Sequence, residues 1–348
     1  MNENAPTMSD WRALYQAALE FKEIEAWTWM YDSDLFGVQD PVSEEIGYCC
    51  VMGALGEIFA LAVYQGSEGL ASYVRIADQP SQPEDMLEMM EIALIQKCLM
   101  ASFGARKELT DQDRQVIKRL GLKFRGRTAW PLFRSYRPAY FPWYLTADEA
   151  KFLTLALQQA KEVCLRFRDD RDLLDPPREG LFFVRAPKKT RQGLVWEDAW
   201  LEPAPFIEEI TSKPMEEARL TRLKQTARRV QAAWETDVFF SPIPVQDEKD
   251  ERPYYPYMMM VVDHASGFIL GQEMMTPEEH LVELADRFVS LAEMINVLPA
   301  ELWVRRQVVY SLLEPFTSRL GVKLYLVNEL VALKEAQTAL MRLMRRDF

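Results

Sequence analysis

The chain has 348 residues, 49% of them apolar and 27% charged. That balance belongs to a folded globular protein and excludes a disordered, collagen-like or disulfide-framework chain. The formal net charge of −12 argues against a surface that coats nucleic acid throughout; residues 1–60 hold eleven acids and two bases, whereas residues 105–144 hold ten bases and three acids, so a polyanion would be met by the second stretch.

Residues 1–8 read as a tail, polar and acidic rather than a signal peptide. Ser9 or Asp10 then caps a helix with Trp11, Leu14, Tyr15, Ala18 and Leu19 on one face. Tyr31 to Glu45 is a polar, turn-rich stretch, and Ile46 to Tyr64 gives two apolar strands joined through Gly53 and Gly56, with Gln65-Gly66 ending the second. The apolar run from Tyr48 to Tyr64 is interrupted by Glu57 and falls short of the ~20 residues of a membrane span. A cytoplasmic protein with no membrane association is the expectation.

Pro83 is expected to open a helix reaching about Phe103, and Thr110 to cap a short one stopped by Gly121. Thr146-x-x-Glu149 is a capping box for a longer helix carrying Phe152, Leu153, Ala156, Ala160, Val163 and Phe167. A hairpin follows, Leu181–Arg185 with Leu194–Leu201, and then a helix over Met215–Ala233. The last third reads as strands Trp234–Phe240, Tyr257–Val262 and Phe268–Met275, a helix after Thr276-Pro277-Glu278-Glu279, strand Leu302–Val304, a helix stopped by Gly321, strand Val322–Leu326 and a closing helix over Leu333–Met344. The fold class is therefore α+β: a mixed domain over residues 9–211 and a β-β-β-α-β-α-β-α domain over residues 212–348.

Cys49, Cys50, Cys98 and Cys164 form no CxxC pair and read as buried free thiols, with Cys49 and Cys50 facing opposite sides of one strand. His264 and His280 are too few for a Cys/His zinc site, lack an HExxH companion and are expected at the surface. There is no GxSxG elbow and no GxxxxGK[ST] phosphate loop. No metal and no cofactor is expected. The methionines at 86, 89 and 90, 258–260, and 274 and 275 sit in apolar segments and are expected to fill core.

Between Lys123 and Tyr144, the bases Lys123, Arg125, Arg127, Arg134 and Arg137 alternate with aromatics that include Trp130. Guanidinium groups bind phosphate and aromatic rings stack bases, so this is the candidate surface for single-stranded nucleic acid. The preferred reading packs the aromatics on the domain and turns the arginines toward the acidic N-terminal face.

Trp234-Glu235-Thr236-Asp237, the hairpin from Val261 to Gly271, Leu302-Trp303-Val304-Arg305-Arg306, Gly321-Val322-Lys323-Leu324 and Glu335 together resemble the catalytic core of retroviral-type integrases and DDE transposases. The resemblance implies a ribonuclease H-like fold. Asp237 stands where that family has its first catalytic Asp, Glu335 where it has its third carboxylate, and Arg305 and Arg306 where it has its second Asp. Two-metal phosphoryl transfer needs clustered carboxylates, and a permanently charged guanidinium repels a cation. A catalytically silent domain follows, with Asp237 paired to Arg305 or Arg306. Asp263 reads as a turn residue and Glu335 as an exposed helix residue. The leading function is a binding or interaction protein, which admits a protein partner; the alternatives are a metal-dependent nuclease or strand-transfer enzyme using Asp237, Asp263 and Glu335, and a nucleic-acid binder. The whole chain, through Gly47-Tyr48-Cys49-Cys50-Val51-Met52-Gly53, also resembles a family of uncharacterised bacterial proteins with no assigned activity.

Overall fold

The structure is a computed structural model that describes residues 4–78, 86–191, 193–206, 213–248 and 251–344. The fold is α+β and the chain forms two units. The first draws on Met1–Gln82, Leu94–Pro138 and Pro142–Phe206; the second on Pro83–Ala93, Ala139–Phe141 and Ile207–Phe348. Residue 83, expected to open a helix, and the expected boundary at 211 lie outside the described residues.

The first helix, α1 (Met8–Glu23), is capped by Thr7, which exchanges hydrogen bonds with Asp10 as a capping box. Strands β1 (Phe36–Gln39), β2 (Ile46–Met52) and β3 (Phe59–Gln65) follow. Helix α2 (Gly66–Ala77) leaves β3 with no intervening loop, and α3 (Met86–Leu94) precedes β4 (Cys98–Gly104). The expected helix to Phe103 is therefore replaced by a short helix and a central strand. Residues 98–103 pair along their length with both β3 and β5, so ladder bonds on two sides override helix propensity.

Helix α4 (Asp111–Leu120) carries the Thr110 cap and the Gly121 stop. Strand β5 (Trp130–Tyr136) lies inside the basic, aromatic stretch, and α5 (Ala147–Asp169) starts at the Thr146–Glu149 capping box. A hairpin, β6 (Phe182–Thr190) with β7 (Gly193–Leu201), completes a seven-stranded sheet of order β5-β4-β3-β2-β1-β6-β7. Its pairs are antiparallel except β1 with β6.

Both faces of that sheet are covered, which is why β2 and β3 read as unbroken apolar runs. Cys49, Val51, Leu61, Val63 and Leu99 share one core with Leu14 and Phe21 of α1 and Leu153 and Leu157 of α5. Tyr48, Cys50, Ala62, Tyr64 and Cys98 face the other way, with Leu70 of α2. Cys49 and Cys50 thus lie on opposite faces, and all four thiols are free and buried.

The second unit begins its main run with α6 (Glu217–Thr226) and the thirteen-residue β8 (Arg228–Phe240). The helix ends seven residues short of the expected Ala233, because residues 228–233 pair with a neighbouring strand. Then come β9 (Tyr257–Asp263), β10 (Ile269–Met275), α7 (Leu284–Ile295), β11 (Val297–Val304), α8 (Gln307–Leu320), β12 (Lys323–Leu326) and α9 (Val331–Met344). The five-stranded sheet has the order β10-β9-β8-β11-β12, antiparallel on the β9 side and parallel on the β11 side.

Alternation along β8 decides what each face carries. Trp234 and Val238 enter a core with Met259, Val261, Leu302 and the apolar faces of α7 and α8. Phe239 joins Met258, Met260 and Val262 under Leu330, just before α9, and Leu333 and Ala336 of α9. Of the methionine pair at 274 and 275, Met275 is buried but Met274 is 49% exposed, because adjacent residues of the edge strand β10 face opposite sides.

Candidate functional site

The same alternation puts Glu235 and Asp237 side by side on the α9 face of β8. Both are buried, at 0% and 4% exposure. A buried carboxylate is tolerated only with hydrogen bonds or a counter-charge, and each has found its own. Glu235 accepts from the Leu333 backbone N–H at 2.8 Å, an otherwise unpartnered donor of the first turn of α9, and its other oxygen lies 2.6 Å from His264 Nδ1. His264 remains partly exposed and leans on the Trp303 ring, centroids 4.3 Å apart.

Asp237 faces the end of β11. Residues 303 and 235 are register partners on the parallel strands β11 and β8, so Arg305 and Arg306 arrive beside Asp237 where α8 begins. Arg306 Nε donates to Asp237 Oδ1 at 2.8 Å, and Nη2 lies 2.7 Å from the same oxygen, buried and out of line for a second bond. Arg305 Nε stands 3.9 Å from Oδ2, and the Val238 N–H donates to Oδ1 at 2.8 Å. Asp237 and both arginines line a cleft of about 100 Å³, with Glu91, Leu330, Lys334 and Gln337 among the other walls. The pairing expected between Asp237 and Arg305 or Arg306 is therefore present, with Arg306 as the close partner.

Glu91 and Glu329 line the cleft beside Asp237, but the two other acids expected at this centre, Asp263 and Glu335, do not join it. Asp263 Oδ1 accepts from the Ser266 backbone N–H and hydroxyl at 2.9 and 2.7 Å, bonds that hold its pKa below the ordinary value and close the turn after β9. Glu335 is exposed on α9 and does not line the cleft. Among the described residues no group of three or more His, Cys, Asp or Glu is placed to hold a metal ion.

His280 departs from expectation. It is half-buried, stacked flat on Tyr257 at 3.6 Å between centroids, with Nδ1 2.7 Å from the Pro277 carbonyl. Burial drives its pKa down to about 4, and the nearby Arg306 charge adds to that, against the raising effect of the Pro277 bond. Residues 277–283, expected to begin a helix at the capping box, form turns instead, and α7 starts at Leu284.

The basic, aromatic stretch is divided by β5. Arg134 is held by Asp113, Nη2 to Oδ2 at 2.6 Å, and lies over Tyr144; Arg137 lies 3.6 Å from Glu149. The arginine partners are thus acids of α4 and α5, not of the N-terminal segment. Burial raises the Asp113 carboxyl, but Arg134 and the Thr110 hydrogen bonds outweigh it and leave the pKa below the ordinary value. Phe133 is buried, and Trp130 packs against Phe124. Lys123, Arg125 and Arg127 are exposed.

The feature that sequence reasoning missed is Glu235. It was visible only as one residue of Trp234-Glu235-Thr236-Asp237, although strand alternation places any acid two residues before Asp237 on the same buried face.

Residues 11–185 match a family described as a domain of unknown function, DUF7309. The chain belongs to that family. Residues 219–341 match a second family, described as a domain of unknown function, DUF6930. The DUF7309 match covers β1 to β5 and ends within β6, and the DUF6930 match covers β8 to β12, the strands of the sheet that contains Asp237. No curated protein matches the chain. Among the described residues no helix is long and apolar enough to cross a membrane.

Proposed function

We propose that the second unit is a ribonuclease H-like module without metal-dependent phosphoryl-transfer chemistry, and that this DUF7309 protein works by binding rather than by catalysis. The element order β-β-β-α-β-α-β-α and the sheet order β10-β9-β8-β11-β12 support the fold reading. The observation that carries the functional reading is the Arg306 clasp on Asp237. Two divalent cations held ~4 Å apart need several carboxylate oxygens free to coordinate them. Here the residues do not fit such a centre: Asp237 is already met by one guanidinium with a second beside it, and although Glu91 and Glu329 also line the cleft, among the described residues no three acids are placed to hold an ion.

The test is a titration of the full chain with Mg²⁺ and Mn²⁺, read by calorimetry and by melting temperature, together with incubation on single- and double-stranded DNA. Neither cation is expected to bind at micromolar level or to shift the melt, and the DNA stays intact. Cleavage that needs Mn²⁺ and disappears in Asp237→Ala would overturn the proposal.

A further inference from the structure

A different surface, in the first unit, carries charge that nothing in the fold consumes. Between residues 105 and 127 there are eight bases and three acids. All three acids are engaged locally: Glu108 accepts from the Ala105 N–H, Asp111 pairs with Arg114, and Asp113 with Arg134. Arg106, Lys107, Lys123, Arg125 and Arg127 are exposed, and none makes an ion pair with a described residue. Lys118 and Arg119, in the last turn of α4, are exposed as well.

Trp130 brings Arg106 together with the loop that carries Lys123 and Arg125. The Arg106 guanidinium lies 6.0 Å above the indole, and Phe124 meets the same ring edge-on at 5.5 Å. The turn at Arg106–Glu108 and the loop over residues 122–127 are thus drawn to one anchor, with Lys123 and Arg125 on either side of Phe124. Glu20 and Glu23 border the loop across the groove lined by Leu120 and Leu122, and Glu20 is held by Lys161 at 3.1 Å.

We infer that this face binds the phosphate backbone of nucleic acid, without regard to base sequence. Between residues 105 and 127 bases outnumber acids eight to three, and each of those acids already has a partner. Phosphate recognition needs only guanidinium and ammonium groups, and gains free energy from released counterions. A protein partner would need apolar anchors at its centre, and a bilayer would need apolar side chains to insert; no large apolar side chain between residues 105 and 130 is strongly exposed. The aromatic rings are committed to one another, so bases find no free stacking platform, and duplex and single strand should bind alike. The net charge of −12 does not forbid this, because at ~0.1 M salt charges more than about 10 Å away are largely screened.

The experiment is fluorescence anisotropy of the full chain with labelled DNA of about 30 nucleotides, single- and double-stranded, with affinity expected to fall on the order of a hundredfold between about 50 and 200 mM salt. The triple variant Lys123→Glu, Arg125→Glu, Arg127→Glu, folded as judged by circular dichroism, should lose at least about tenfold at the lower salt. Lys151→Glu, an exposed cation on α5, should leave binding unchanged. No binding at low salt, binding that the triple variant keeps, competition by polyglutamate as effective as that by unlabelled DNA, or capture by phosphatidylserine vesicles in place of DNA would each overturn the assignment.

Discussion

At the residue scale, the second unit keeps two carboxylates inside a sheet by giving each a different kind of partner, and the two differ in what they would lose. Glu235 is held by a backbone N–H and an imidazole, Asp237 by a guanidinium. Removing one member of a buried ion pair leaves an uncompensated charge and costs about 3–5 kcal/mol, while the intact pair adds little over an apolar replacement. Arg306 is 30% exposed, so water reaches part of the pair and the lower end applies. Arg306→Met is therefore expected to destabilise the chain by about 3 kcal/mol in urea unfolding, and Asp237→Leu with Arg306→Met together by much less; equal losses in the single and double variants would show that the pair is not the cause. His280 gives a pH signature of the opposite origin. Its folded pKa of about 4 lies below the ordinary 6.5, so the unfolded chain takes up the proton more readily. The stability this implies is complete above pH 6.5 and is lost as pH falls toward 4, by at most about 3 kcal/mol. In His280→Phe, which preserves the ring stack on Tyr257, the fall in urea midpoint between pH 7 and pH 4.5 should be smaller than in the parent chain.

At the element scale, the features legible in the sequence are those with a local chemical cause. The capping boxes at Thr110–Asp113 and Thr146–Glu149, the αL glycines at Gly121 and Gly321 and the strand order of the last third are all found. Each is written within a few residues of itself. The elements that local sequence does not specify depend on distant partners. β1 is four residues in a polar stretch and exists because β2 and β6 pair with it on either side. The sequence of β4 fits a helix and that of β5 a basic patch; as strands they pair with each other, and β4 also with β3. Gln65-Gly66 marks the end of β3 but gives no sign that α2 begins at Gly66. Gly66 does turn the chain, at φ 61°, but Gly69 then lets the helix lie directly on the strand it left: a Cβ there would meet the Tyr64 carbonyl carbon at 2.7 Å and the Lys97 oxygen at 2.9 Å. The candidate site divides the same way. The Asp237–Arg306 pairing was legible because strand order aligned two motifs, whereas the Glu235–His264 contact spans 29 residues and joins two side chains that no motif linked.

At the scale of the whole molecule, the two units are not two consecutive stretches of chain. Residues 139–141 belong to the second unit although the sequence around them belongs to the first. They do so through two backbone bonds, Tyr255 N–H to the Ala139 carbonyl at 2.7 Å and Phe141 N–H to the Pro253 carbonyl at 2.9 Å, and through the Arg252 side chain, whose Nε donates to the Phe141 carbonyl at 2.7 Å. The Tyr140 hydroxyl adds a hydrogen bond to Glu278, which also helps push the phenol pKa up to about 12 behind the larger effect of burial. Residues 86–93 of α3 belong to the second unit as well, and Glu91 lines its cleft. A fragment that starts at residue 213 loses all of these contacts while keeping both of its own apolar cores, around Phe288 and around Met260. It should therefore still fold. With each internal hydrogen bond worth about 1 kcal/mol net, the four lost bonds predict a fragment weaker than the same unit in the full chain by about 3–4 kcal/mol. Urea unfolding followed through Trp234 and Trp303, in a full-length chain whose other tryptophans are replaced by phenylalanine and in the corresponding fragment, measures the difference; coincident transitions would show that the inserted segments contribute nothing.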